Sequence, residues 1–500
     1  MGGNAMKTIF CKIFFTVFTA GLLIHWTGTG VFAFKDPFKL FGRDLDVKGS
    51  LQTNLDVRTH RDVRDIQFSS WKQTLRVEGD YRISRTDDLD ISLYALAHYY
   101  YDFGGSIDDN QRDAIRHEDD GSHALKNYRR SNEIEEILKE LYLDIRGRTW
   151  EVRIGRQIVS WGETAFFQVA DIINPLDLTN MKVWPDFDDL KVGLWMVRLF
   201  YTPERMWQNI SFEVLLIPPD FQHQRMPPAG HGLFLGNPPM PDNVFGQLIH
   251  HMEHDKPGND WNNFEWGVRI RGYTWDTDWT LSYFRSRVDA GLVARDRGLN
   301  QMLNLIFGMP VTDRIFRFPK YHSAGFTFAR SIPAIKSTVR GEMVLNFSHY
   351  QYGMPGTASD IKSRKLLVTA LAVDRSIFVP WLTPLNRMRY LSATITWYHY
   401  KLIGHKFDKN TGEYIDWGSG NRDSSRDVID LMLDYGFYWD YILPTFMFAY
   451  DFNGTTTLSY VLKYAPGDHW RYQVSYQQSN EQGRGAHMQD QVMFSIQYEF

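Results

Sequence analysis

One stretch of this 500-residue chain, punctuated by glycine and proline, is crowded with charged and amide side chains. Arg153, Arg156, Gln157, Glu163, Asp171, Asn174 and Asp177 fall within it, interleaved with Trp161, Phe166 and Phe167. Fixed charges of both signs at this spacing set a local field across a narrow passage and sort solutes by size and charge. The stretch begins as a strand, with Trp150, Val152 and Ile154 on one parity and Glu151 and Arg153 on the other. The alternation then stops. Gly155, Gly162 and Pro175 permit sharp changes of direction. The aromatics are too apolar for a freely solvated loop. They predict a segment folded back against a wall, with Arg153, Arg156, Gln157, Trp161, Glu163, Asp171, Asn174 and Asp177 at a constriction. A purely structural reading of the same residues is compatible with this: the aromatics pack the segment down and the charges pair with one another.

Other chemistries find less support. Nucleophilic catalysis needs a nucleophile and a base held together. The chain has no G-x-S-x-G elbow, and its Ser, His and Asp residues form no persuasive set. An enzyme is carried only as the alternative from another class. His250, His251, Glu253 and His254 are metal-capable, yet His250 and His254 share a face only if the segment is helical. Neither a cysteine nor a second ligand cluster accompanies them, so solvated loop histidines are the expectation, with no metal and no cofactor. The formal net charge of −4 gives no nucleic-acid footprint. The loop 103–135 is dense in charge (Asp108, Asp109, Arg112, Asp113, Glu118, Asp119, Asp120). It reads as a solvated loop, the alternative being a site for divalent cations that bridge lipopolysaccharide.

The elements that must position these residues follow a period of two. Leu45, Val47, Leu51, Leu55 and Val57 alternate with Asp46, Lys48, Gln52, Asp56 and Arg58. The next strand repeats the pattern, with Trp71, Leu75, Val77 and Tyr81 on one face and Lys72, Arg76, Glu78, Asp80 and Arg82 on the other. Charges of both signs on the wet face, over a length exceeding the usual strand, predict tilted membrane strands lining a polar lumen. Further strands are expected near 89–102, 136–147, 150–158, 192–202, 208–217, 264–274, 279–288, 321–330, 337–348, 365–375, 388–400, 427–439, 444–452, 456–465, 469–478 and 490–500. Short turns alternate with long polar loops at 103–135, 159–191, 218–263, 289–320, 349–364 and 401–426, the arrangement of outer-membrane barrels. Aromatics at 15% suit girdles at two membrane interfaces. The expected fold is therefore all-β: a transmembrane antiparallel up-and-down barrel of about 18 strands, or 16 if the hairpin at 444–465 is misread, with long outside loops and one inward-folded loop. Arg269, Arg271, Arg340 and Glu342 join Lys72, Arg76, Glu78, Asp80 and Arg82 as lumen charges. The last ten residues, QVMFSIQYEF, alternate to the end. Such a strand must pair with the first to remove both edges, and Tyr498 and Phe500 are the candidate assembly signal.

The run GRQIVSWGETAFFQVADIINPLD resembles the signature of a Gram-negative outer-membrane family catalogued as domain of unknown function 1302. The match rests on Gly155–Arg156–Gln157, Trp161–Gly162–Glu163, Asn174–Pro175 and Asp177, with a weaker echo at Arg340-Gly341-Glu342. The resemblance implies a porin-like barrel in the outer membrane, working with an inner-membrane exporter and a lipoprotein on hydrophobic or lipid cargo. At the N-terminus, Lys7 and Lys12 precede the apolar run 13–24 and Val31-Phe32-Ala33. This predicts a signal peptide at 1–33, a short periplasmic segment at 34–44 and the barrel at 45–500. Cys11, the one cysteine, would leave with the signal. Expected partners are outer-membrane lipid and lipopolysaccharide and the barrel assembly machinery; the oligomeric state is open. Two functions fit, a diffusion channel whose pore is narrowed by the 159–191 and 218–263 loops, and a conduit for hydrophobic cargo. The second needs an apolar patch within the lumen.

Overall fold

A computed structural model gives the fold. It describes residues 38–60, 65–104, 137–164, 167–177, 190–204, 209–222, 224, 253–255, 257–289, 292–295, 314–351, 362–381, 390–404, 407–408, 413–414, 424–452, 454–481 and 489–500. The expected signal peptide, Phe166, most of the long loops including 103–135 and 218–263, and the side chains of the 250–254 histidine cluster lie outside the described residues.

Eighteen long strands form the barrel: β1 (Arg43–His60), β2 (Asp65–Arg85), β3 (Asp90–Asp102), β4 (Leu138–Arg146), β5 (Trp150–Gln157), β6 (Leu194–Tyr201), β7 (Ile210–Ile217), β8 (Glu265–Thr274), β9 (Thr277–Arg287), β10 (Lys320–Ile332), β11 (Ser337–Gln351), β12 (Lys362–Ile377), β13 (Leu391–Ile403), β14 (Ser425–Asp434), β15 (Ile442–Asp451), β16 (Thr455–Tyr464), β17 (Trp470–Glu481) and β18 (Gln489–Glu499). Each pairs antiparallel with its chain neighbours, and β18 pairs with β1 from Ser50↔Glu499 to His60↔Gln489. The sheet closes, so no barrel edge is left open. The hairpin of β15 and β16, on which the choice between 16 and 18 strands turned, is fully paired. One extra short strand, Phe38–Leu40, folds back on Arg43–Leu45.

The alternation in sequence becomes the two faces of the wall. Leu51, Leu75, Ile154, Leu216, Leu281, Leu371 and Val474 are exposed on the outside, while Asn54, Lys72, Asp144, Thr280, Glu342, Thr396 and Ser475 are buried on the inside. Several turns at one end are tight, although the link from Ile377 to Leu391 is long. Between Thr274 and Thr277 the two linking residues, Trp275 and Asp276, have φ of 52° and 56°, the hand that matches strand twist. Exposed Trp275, Trp381, Trp439 and Tyr441 crowd this end, and Tyr99, Phe347 and Phe452 the other, giving two aromatic girdles.

The seam is fastened by the chain end. Phe500 and Gly49 exchange both backbone hydrogen bonds at 2.9 Å. The Phe500 ring covers the glycine so closely that a methyl group there would lie 2.4 Å from Cζ. Tyr498, two residues earlier, packs edge-on against Trp470 at 5.0 Å and stacks on His469 at 5.6 Å.

Candidate functional site

The chain leaves β5 at Gln157 and turns into the lumen as a strap, residues 158–164 and 167–177. Its two legs are joined at the base by Asn174. The Asn174 Oδ1 accepts from the Val159 N–H at 2.8 Å, and Nδ2 donates to the carbonyls of Gln157 (3.1 Å) and Val192 (2.8 Å). Gln157 is fully buried and donates from Nε2 to the Met196 carbonyl at 3.2 Å. Glu140 accepts the Ile158 N–H at 2.9 Å. The returning leg closes through Val192 N to Pro175 O (2.8 Å) and Asp177 N to Leu190 O (2.6 Å). With Asn174 buried, each of these backbone groups would otherwise be dry and unpaired, which explains an amide at this position.

An apolar floor holds the strap against the wall. Val159, Trp161 and Ile173 pack with Leu194 and Met196 of β6, Leu215 and Ile217 of β7 and Phe284 of β9. Trp161 is 1% exposed. It lies edge-on to Phe284 at 6.2 Å and against Gly267, where a Cβ would come within 2.7 Å of the ring. The Arg269 guanidinium stands 5.4 Å from its centroid.

The middle of the strap reaches far round the barrel. Glu342 of β11, six strands from β5 and 1% exposed, accepts three backbone N–H groups. Oε1 takes Glu163 (2.6 Å) and Thr164 (2.5 Å), and Oε2 takes Ala170 (2.7 Å). Phe167 N–H donates to Tyr398 Oη of β13 at 3.1 Å, eight strands from β5. Tyr321 of β10 donates to the Ile172 carbonyl at 3.2 Å. The strap thus crosses the lumen and is held by side chains of the far wall. Charge-assisted bonds of this kind contribute about 1.5–3 kcal/mol each.

The charges divide into exposed and buried sets. Glu163 faces Arg271 at 3.6 Å, and its carbonyl accepts from Arg340 at 3.2 Å. Arg340 also pairs with Asp374 at 3.0 Å. Arg271 and Glu163 keep 54% and 31% of their side-chain surface, so this group lines open space. Arg269 is buried beneath Trp161, where it and Arg198 share Glu213 at 2.7 and 2.6 Å. Asp171 is paired with Lys191, which also bonds Ser160. Arg153 is held by Asp144 and Glu151, each at 3.0 Å, over the Tyr142 ring at 4.5 Å. Lys72 caps Tyr100 at 4.1 Å and Arg76 meets Glu78 at 3.6 Å. Asp80 and Arg82 stand exposed towards the turn end.

The structure brings Glu163, Arg271, Arg340 and Glu342 together, and assigns Trp161, Gln157, Asn174 and Asp171 to anchoring. Arg156 requires a correction. Arg156 pairs with Leu141 and Trp195 near the end of β5 and is buried to 1% exposure, so it does not line open space. It belongs to the wall and not to the passage. The reading of the sequence missed Tyr398, Tyr321, Lys191 and Glu140. One signal was available: around Leu194–Val197 and Val214–Ile217 the strands are apolar on both parities, which marks a wall covered from within.

The sequence profile of the family described as "Protein of unknown function (DUF1302)" matches residues 54–365. The chain belongs to that family. Among solved structures it is similar to the BenF-like porin from Pseudomonas fluorescens Pf-5, with 7% identity, 91% of this chain and 98% of that chain covered, and a TM-score of 0.51. It is also similar to OccAB3 of Acinetobacter baumannii, with 9% identity, 91% and 99% covered, and a TM-score of 0.50. The likeness is one of fold: this DUF1302 chain has the barrel of outer-membrane porins. No curated protein matches its sequence.

Proposed function

We propose that this DUF1302 protein is an outer-membrane channel of a Gram-negative bacterium that passes small polar solutes beside the strap. The observation that carries the reading is the exposed group at the strap's free edge. Arg271, Glu163, Arg340 and Asp374 keep charges of both signs around a lumen already narrowed by the crossing segment. In a partly dehydrated passage such charges act at short range with little screening. Arg153 and Asp177 are further candidates for the lining, and the 218–263 loop is a second candidate for narrowing the mouth. Purified protein in planar bilayers should give discrete conductance steps. Folded barrel that inserts without conducting would overturn the reading.

A second reading, a conduit for hydrophobic or lipid cargo working with an inner-membrane exporter and a lipoprotein, draws on a different observation. Val344, Leu366, Val368, Ala370 and Leu402 point inward on β11–β13 next to Tyr398 and are buried, an apolar patch on the lumen wall. Block of the conductance by an apolar solute, lost in Val368→Asp, would favour it.

A further inference from the structure

The lumen wall of β12–β16 holds a carboxylate that the charged group beside the strap leaves unused. Asp430 of β14 is 4% exposed, and its Oδ2 is buried without a hydrogen bond. It faces inward, on the parity of buried Thr396, Tyr398 and Met447. The carboxylates around it are engaged. Asp374 pairs with Arg340 at 3.0 Å and accepts from Thr394 at 2.8 Å, Asp451 takes Arg426 at 2.6 Å, and Glu342 holds the strap. Both arginines are committed by those bonds, and no cation among the described residues pairs with Asp430. A charge buried in that way is costly unless something pairs with it. An ionisable side chain at membrane depth that faces the lumen marks a path for a solute or ion.

The row that carries Asp430 is otherwise short. Ala372, Thr396, Asp430, Ala449 and Thr457 stand in register around the wall. Larger side chains bound the row, Tyr398 on the long-loop side and Met447 on the turn side. The wall is therefore set back at this level, with the acid at the back of the recess. Tyr398 Oη takes the Phe167 N–H at 3.1 Å, and the two rings meet edge-on at 6.4 Å. The recess thus lies where the strap meets the far wall.

We propose that Asp430 is a binding site for organic cations, pairing with the ammonium group of a primary amine whose apolar body lies against Met447 and the rings of Tyr398 and Phe167. The proposal rests on the channel reading and names a solute class for it. An ammonium group is slim enough for short flanking side chains and offers three donors to a carboxylate. Aromatic faces beside it favour a cation.

The test is titration calorimetry of folded protein in detergent with 2-phenylethylammonium, neutral 2-phenylethanol and the anion phenylacetate as probes. Wild type should bind the ammonium and neither of the others. Asp430→Asn keeps the shape and removes the charge, so it should weaken the ammonium by about tenfold to a hundredfold, the worth of one charge-assisted bond. Ala449→Leu fills the recess and leaves the charge, and should weaken it as well; heat-modifiable migration reports the folding of each variant. Asp278→Asn, an exposed inward carboxylate at the turn end, should leave binding unchanged. Equal binding of 2-phenylethanol, or unchanged ammonium affinity in either Asp430→Asn or Ala449→Leu, overturns the site. Protein that binds the amine but passes no current supports the site and fails the channel reading alone, because the titration needs no pore. Conducting protein that does not bind the amine fails this inference alone.

Discussion

Replacing Glu342 by glutamine removes the strap's far anchor with almost no change in shape. The carboxylate accepts three N–H groups, a gross contribution of about 4.5–9 kcal/mol at 1.5–3 kcal/mol each. Glutamine keeps one carbonyl oxygen and turns its NH2 towards a backbone donor. At least one N–H must then go unpaired at a cost of about 1–3 kcal/mol, and the remaining bonds lose their charge. A net loss of about 3 kcal/mol is about a hundredfold in the opening equilibrium. Hydrogen exchange of the Glu163, Thr164 and Ala170 amides reads local opening directly. Their exchange in Glu342→Gln should quicken by about a hundredfold, while the Met343 amide, bonded within the sheet, stays protected. Exchange within threefold of wild type at all three amides would refute the claim that Glu342 holds the strap.

At the seam, Gly49→Leu should obstruct the Phe500 ring, and Phe500→Ser should uncover the glycine. Heat-modifiable gel migration should show less folded barrel for both than for Phe103→Ser at the opposite end. Asn174→Ala strands the Val159 N–H and two carbonyls, so it should cost about 2–4 kcal/mol of local stability, seen as earlier proteolysis within 158–177 with the barrel intact. Under a salt gradient, Arg271→Ala should move the reversal potential towards cation preference and Glu163→Ala towards anion preference. Arg153→Ala should move it less, because Asp144 and Glu151 already offset that charge.

The barrel was legible because a period of two needs only near neighbours. Leu45 to Arg58 displays both faces of β1 without reference to any other strand, and the turn lengths then fix the order. The inward segment was legible from Trp161, which no solvated loop would carry. Its anchors were not. Glu342 lies 172 residues from Ala170 and Tyr398 lies 231 from Phe167, and nothing in local pattern couples positions brought together by closure of a barrel. Glu342 was readable as a lumen charge, but not as a receptor for backbone N–H groups. Charge and spacing marked Arg156 as a lining residue, but they carry no sign that its side chain is buried. The strand passes through Gly155 with φ of 139°, and Arg156 just beyond it is buried.

The central claim is that the strap narrows an open lumen. Single-channel conductance decides it, comparing wild type with a variant in which 164–171 is replaced by a short Gly-Ser link that spares Trp161, Ile173 and Asn174. Larger unitary steps and weaker ion selectivity are expected from the shortened strap. Unitary steps of wild-type size, from protein shown to be folded, would contradict it.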